Sequence, residues 1–128
     1  MYKRQLLARC DVVSLHASAT HGAACLIGAD ELQHAHPGLV LLNTARGDLL
    51  DVDAAWSAVR EGRIAFLGAD VFPEEPWPRL ATQARHPAVV FTPHSAGWHS
   101  GLPAAVTTGL EQVIAAFVAG QTLPFGLG

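Results

Sequence analysis

The residues of this chain that could do chemistry stand where apolar runs break off into small polar turns. Leu39-Val40-Leu41-Leu42 gives way to Asn43-Thr44-Ala45-Arg46-Gly47, and Asp11-Val12-Val13-Ser14-Leu15 ends in His16. The run from Arg63 to Phe72 carries Asp70 near its end, and Ala88-Val89-Val90-Phe91-Thr92 ends in Pro93-His94-Ser95-Ala96-Gly97. Arg46 offers a planar guanidinium fork suited to a carboxylate. The same arginine could equally do no more than pair with a surface acid. Taken alone, Asp70 could cap the following turn, and His16 could simply terminate a strand.

These four runs read as strands, and helical patterns separate them. A run as apolar as Leu39–Leu42, bounded by Pro37-Gly38 and Gly47, suits a strand buried on both faces. Gln5–Arg9 reads as the end of a helix, and 23–27 and 29–36 as further helical pieces. Asp51 or Asp53 caps a helix whose apolar stripe includes Ala55, Trp56 and Val59 and which stops at Gly62. Leu80–Ala84 forms one helical turn within a proline-framed loop. A last helix, 101–119, starts near Pro103 and spaces Val106, Leu110, Val113, Ile114 and Phe117 along one face. Strands alternating with helices predict an α/β fold, a partial parallel sheet of about four strands with flanking helices. In such sheets ligands bind at the carboxyl ends of the strands. His16, Thr44 to Arg46, Asp70 and His94 would then line one rim, giving a crevice with a cation, a carboxylate and two imidazoles.

Composition narrows the function classes. Hydrophobic residues make up 50% of the 128 residues and charged ones 15%, enough for a real core. A net charge of −3 gives no basic footprint, so nucleic acid is not an expected partner. Cys10 and Cys25 form no CxxC pair and read as small core hydrophobes. Neither a signal segment nor a run of membrane-spanning length stands out, so a cytoplasmic protein is expected. His16, His94 and His99 could converge, but no Cys or HExxH spacing accompanies them, and no metal site is expected.

The four blocks, with Asp70-Val71-Phe72 followed by Glu75-Pro76, occur in an order and at spacings that resemble the D-isomer-specific 2-hydroxyacid dehydrogenases. The resemblance runs from about Leu6 to Leu123. It implies a Rossmann-like domain binding NAD or NADP and a hydride passed to or from C2 of a small 2-oxo or 2-hydroxy acid. By the resemblance, Arg46 holds the substrate carboxylate and carbonyl, His94 is the general acid/base, and Glu75, rather than Glu74, pairs with His94. It also implies that Asp70 and the Thr44 backbone hold the nicotinamide carboxamide. Cofactor contacts are further implied for His16, Ala45, Arg46, His94, Ser95, Ala96 and Gly97. These residue types suit the chemistry. Hydride addition to a ketone builds charge on oxygen, which an imidazole can protonate and a guanidinium can stabilise.

Against the family pattern, G-x-G-x-x-G is absent, as is the acidic residue that reads the ribose. The chain is therefore expected to be the carboxyl-terminal, nicotinamide-side part of a dinucleotide-binding domain, incomplete for turnover by itself. Ser18, Ala23 and Trp98-His99 also depart from common family residues. An exposed edge on the strand at Val12–Leu15, and the apolar stripe of the last helix, would favour a homodimer or association with another chain. The competing expectation is a non-catalytic nucleotide-sensing or interaction module built on the same fold.

Overall fold

The computed structural model describes residues 2–19, 24–122 and 124, and the chain divides into two compact units, residues 1–96 and 97–128. In the first unit, helix α1 (Tyr2–Arg9) delivers the chain to strand β1 (Val12–Leu15). There follow α2 (Ala29–Leu32), β2 (Val40–Asn43), a single 3-10 turn at Gly47–Leu49, α3 (Val52–Arg60), β3 (Phe66–Ala69), α4 (Leu80–Gln83) and β4 (Val89–Phe91). All strand pairs are parallel, as the alternation of strand and helix predicts, and the sheet order is β1-β2-β3-β4. Leu7, Leu39, Leu41 and Leu67 are wholly buried, so the central strands β2 and β3 and helix α1 anchor the core.

Local signals explain most boundaries. Asp51, rather than Asp53, caps α3: its carboxylate accepts from the Ala54 N–H at 2.9 Å. Gly62, at φ +69°, turns the chain out of the helix. Glu31 closes the start of α2 by accepting the Gly28 N–H at 3.1 Å, and its other oxygen lies 3.1 Å from the Lys3 ammonium on α1. Those two contacts hold the Glu31 carboxyl below its ordinary value, the Lys3 hydrogen bond contributing most.

Two expected helices are corrected. Ala23 lies outside the described residues, and 24–27 is not helical; Ile27 instead forms an isolated parallel bridge with Leu50. The Ile27 N–H donates to Leu49 at 3.0 Å and its carbonyl accepts from Asp51 at 2.9 Å. A partner 22 residues away in sequence thus outweighs the helical tendency of Ala24 to Leu26. The second piece ends at Leu32, not His36. His36 leaves the helix because its N–H donates to Leu7 at 3.1 Å while its ring Nε2 bonds the Cys10 carbonyl at 2.9 Å.

The second unit, described by itself, is dominated by α5 (Leu102–Val118), with Pro103 in its first turn. Gly120, at φ +64°, ends it. Val106, Leu110, Ile114 and Phe117 are exposed. Among the described residues, no helix is long and apolar enough to cross a membrane.

Candidate active site

The register aligns the strand ends. Leu15 pairs with Asn43, Asn43 with Ala69, and Ala69 with Phe91, so His16, Thr44, Asp70 and Thr92 emerge side by side along one rim.

The turn after β2 is fastened by Asn43, a wholly buried amide. Its Oδ1 accepts the Ala45 N–H at 3.1 Å and its Nδ2 donates to the Arg46 carbonyl at 2.9 Å. Both halves of the amide are thereby satisfied, and the backbone of Arg46 is fixed while its side chain stays exposed. Gly47 then packs directly on the loop after β3. A Cβ there would sit 2.0 Å from the Phe72 carbonyl carbon and 2.4 Å from the Pro73 nitrogen. Only glycine lets these two segments touch, and that contact carries Arg46 toward Glu75.

Asp70 fastens the loop after β4. One of its oxygens accepts from the Thr92 hydroxyl at 2.5 Å and the Ser95 N–H at 2.8 Å; the other accepts the Ala96 N–H at 3.0 Å. Burial (the side chain is part of a residue only 4% exposed) favours the neutral acid, but these bonds and the nearby His94 outweigh it. The net result holds the Asp70 carboxyl below its ordinary value. The backbone carbonyl of Asp70 also receives the His94 N–H at 2.8 Å. His94 itself adopts φ 52°, an unusual conformation for a residue with a side chain, kept in place by this clamp.

Glu75 completes the arrangement. Its Oε1 accepts the Phe72 N–H at 3.0 Å and its Oε2 lies 2.8 Å from His94 Nδ1. Those bonds, the one to His94 first, hold the Glu75 carboxyl below its ordinary value. Since an ionised carboxylate only accepts, Nδ1 carries the hydrogen and Nε2 is left as the nitrogen that can exchange a proton. Glu74 makes no such bond to the ring; Glu75 does.

Arg46, Glu75 and His94 line one cleft of about 230 Å³, together with Asp48, Phe72 and Pro73. A shallow depression of about 260 Å³ crosses the strand ends and takes in Ser14, Thr44, Gly68, Asp70, Thr92 and Ala96. His16, whose Nε2 lies 2.9 Å from Ser14 Oγ, lines a third cleft with Ala45 and Arg46. Ser95 reaches the site through its N–H bond to Asp70. Gly97 opens the second unit and is exposed. Among the described residues no group of three or more His, Cys, Asp or Glu side chains could hold a metal ion.

This geometry can be set beside known proteins. The sequence profile described as "D-isomer specific 2-hydroxyacid dehydrogenase, NAD binding domain" matches residues 2–96. The chain belongs to that family. A glycerate dehydrogenase of Methylorubrum extorquens is 34% identical over 119 residues, 91% of this chain and 38% of the relative. A glyoxylate reductase of Korarchaeum cryptofilum is 32% identical over 120 residues, 94% of this chain and 36% of the relative. The chain thus spans little more than a third of the length of these curated relatives. Among solved structures, a family member from Xanthobacter autotrophicus Py2, in complex with NADPH and MES, superposes with a TM-score of 0.73 at 29% identity. That match covers 98% of this chain and 51% of the other.

Two contributors were not singled out from sequence. Asn43 stands in the Arg46 block, yet its role as the latch shows only once it is seen buried; a lone Asn closing an apolar run was the available signal. Trp77 gave none, because the residues that hold it lie 6 and 30 positions apart along the chain of contacts from Trp77 to Gln83 and from Gln83 to Asp53.

Proposed function

We propose that this chain provides the nicotinamide side of a 2-hydroxyacid dehydrogenase site, for NAD(P)-dependent hydride transfer at C2 of a 2-oxo or 2-hydroxy acid. The observation that carries this reading is the meeting of Arg46, Glu75 and His94 around one cleft, with the ring nitrogen His94 Nδ1 tied to Glu75 at 2.8 Å.

The strand-end depression suits a flat amide-bearing ring. Gly68, Ala69 and Ala96 line it beside Leu42 and Val90, and a Cβ at Gly68 would lie 2.7 Å from Leu42 Cδ2. Ser14, Thr44 and Thr92 also border it. Thr44 and the remaining lone pair of Asp70 would hold the carboxamide, although Asp70 is committed chiefly to the Thr92–Ala96 loop. A bound nicotinamide supplies or accepts the hydride. The Arg46 guanidinium binds the substrate carboxylate bidentately and draws charge toward the carbonyl oxygen. His94 Nε2 gives a proton to that oxygen in reduction and takes it back in oxidation. Glu75 holds the ring and fixes the hydrogen on Nδ1, which leaves Nε2 facing the substrate oxygen. We further infer that the edge carrying exposed Tyr2, Leu6 and Val12 is where this unit meets another chain or a second copy.

NADH oxidation with glyoxylate, pyruvate and hydroxypyruvate tests the reading, on the chain alone and on the chain joined to the glycine-fingerprint half of a relative. Turnover by the joined protein, lost in Arg46→Gln and His94→Gln, is expected. A joined protein that binds NADH but turns over no 2-oxo acid would favour the non-catalytic, nucleotide-sensing alternative.

A further inference from the structure

A second cavity, of about 300 Å³, adjoins the Arg46 cleft and differs from it in chemistry. Phe72, Pro76, Trp77, Leu80 and Pro93 give it apolar walls, and its two polar residues are Glu75 and His94. Those two, with Phe72, also line the Arg46 cleft, so the two cavities meet at the acid/base pair. Trp77 is held there by Gln83, Arg79 and Phe72. Its indole N–H donates to Gln83 at 2.8 Å; Gln83, itself 3% exposed, donates to Asp53 at 3.1 Å. Asp53 also receives Arg79 at 2.8 Å, and that guanidinium lies 5.3 Å over the Trp77 ring. The indole also stacks with Phe72 at a centroid distance of 5.7 Å. A wall fixed in this way is preformed for a ligand rather than collapsed by one.

We propose that this cavity receives the hydrocarbon substituent of the substrate, making 2-oxo acids with branched aliphatic or aromatic side chains the preferred class. The inference rests on the reading under "Proposed function". The carboxylate sits at Arg46, C2 beside His94, and the substituent against Trp77 and Leu80. No lysine or arginine lines the cavity, whereas Glu75 does, so a substituent with its own negative charge is disfavoured. Each methylene moved from water into such walls changes affinity roughly fourfold.

Titration of the 128-residue chain with glyoxylate, pyruvate, 4-methyl-2-oxopentanoate and 2-oxobutanedioate, followed by two-dimensional NMR, tests this. We expect 4-methyl-2-oxopentanoate to bind at least about tenfold tighter than glyoxylate. Its methyl protons should show nuclear Overhauser contacts to the Trp77 indole, and 2-oxobutanedioate should bind more weakly than pyruvate. Trp77→Ala should reduce the preference to below about threefold, with Leu80→Ala as a milder variant whose amide spectrum reports an intact fold. Equal affinities for glyoxylate and 4-methyl-2-oxopentanoate, with Arg46 and His94 both responding, would overturn this inference and leave the site reading standing. So would an undiminished preference in the folded variants. If no 2-oxo acid moves Arg46 or His94, the site reading itself fails and this inference with it.

Discussion

The turns that follow β2 and β4 meet one task in two ways. Each must hold a single functional side chain, Arg46 or His94, at the rim of the sheet. The first is latched by a neutral amide on its own strand, Asn43, which takes one N–H and gives one back to a carbonyl. The second is latched by a carboxylate just past the end of the neighbouring strand, Asp70, which accepts three hydrogen bonds from Thr92, Ser95 and Ala96. An amide matches a turn offering one donor and one acceptor; a carboxylate matches a loop offering donors alone. The difference teaches where pH can act. Asn43 does not titrate. Asp70 does, and its lowered value ties the His94 loop, but not the Arg46 turn, to acidity.

The comparison breaks hardest at Asn43. Asn43→Asp places a buried charge against the Arg46 carbonyl and should cost about 3 kcal/mol at pH 7. Acid should return part of that loss, because the protonated carboxyl can donate again; urea titrations at pH 7 and pH 4 would show it. Gly47→Ala comes next. Its methyl collides with backbone at Phe72 and Pro73, for a loss of about 2–3 kcal/mol, against about 1 kcal/mol for Gly62→Ala, where nothing lies within 4 Å. Asp70→Asn should cost about 2 kcal/mol by turning one accepting oxygen into a donor that faces an N–H or O–H.

The same variant sharpens the pH argument. In the wild type the folded carboxyl of Asp70 lies below its ordinary 3.8. Its contribution is therefore fully present above that value and lost as pH falls through the lower folded one. Glu75, lowered from 4.5, acts in the same direction. Thermal melts should stay level down to about pH 5 and fall below about pH 4 in the wild type, and fall less in Asp70→Asn. Glu75→Gln is the mildest change, under about 1 kcal/mol because the pair is partly exposed. Its signature should be the ring: the Nδ1–H form of His94 should lose its dominance in nitrogen-detected spectra.

What was legible in the sequence follows the same division. The apolar runs, their polar ends, the α3 start at Asp51 and the stop at Gly62 are local patterns, and each stands where its residues place it. The parallel sheet follows from the alternation of those patterns. The failures at 24–27 and beyond Leu32 arise where distant backbone groups at Leu49, Asp51 and Leu7 claim hydrogen bonds that a helix would have kept. The site shows the same limit. Arg46 and His94 stand out by type and position, whereas Asp70 as a clamp and Trp77 as a fixed wall depend on partners that sequence spacing does not reveal.

The most direct test is whether Arg46 and His94 serve one vacancy. Oxamate, a planar carboxylate that undergoes no reduction, can be titrated into the 128-residue chain while the Arg46 Nε–H and His94 ring resonances are followed together. Both are expected to move along a single binding curve, and Arg46→Gln to abolish the response at His94. Responses at separate concentrations, or at only one of the two residues, would contradict a shared site.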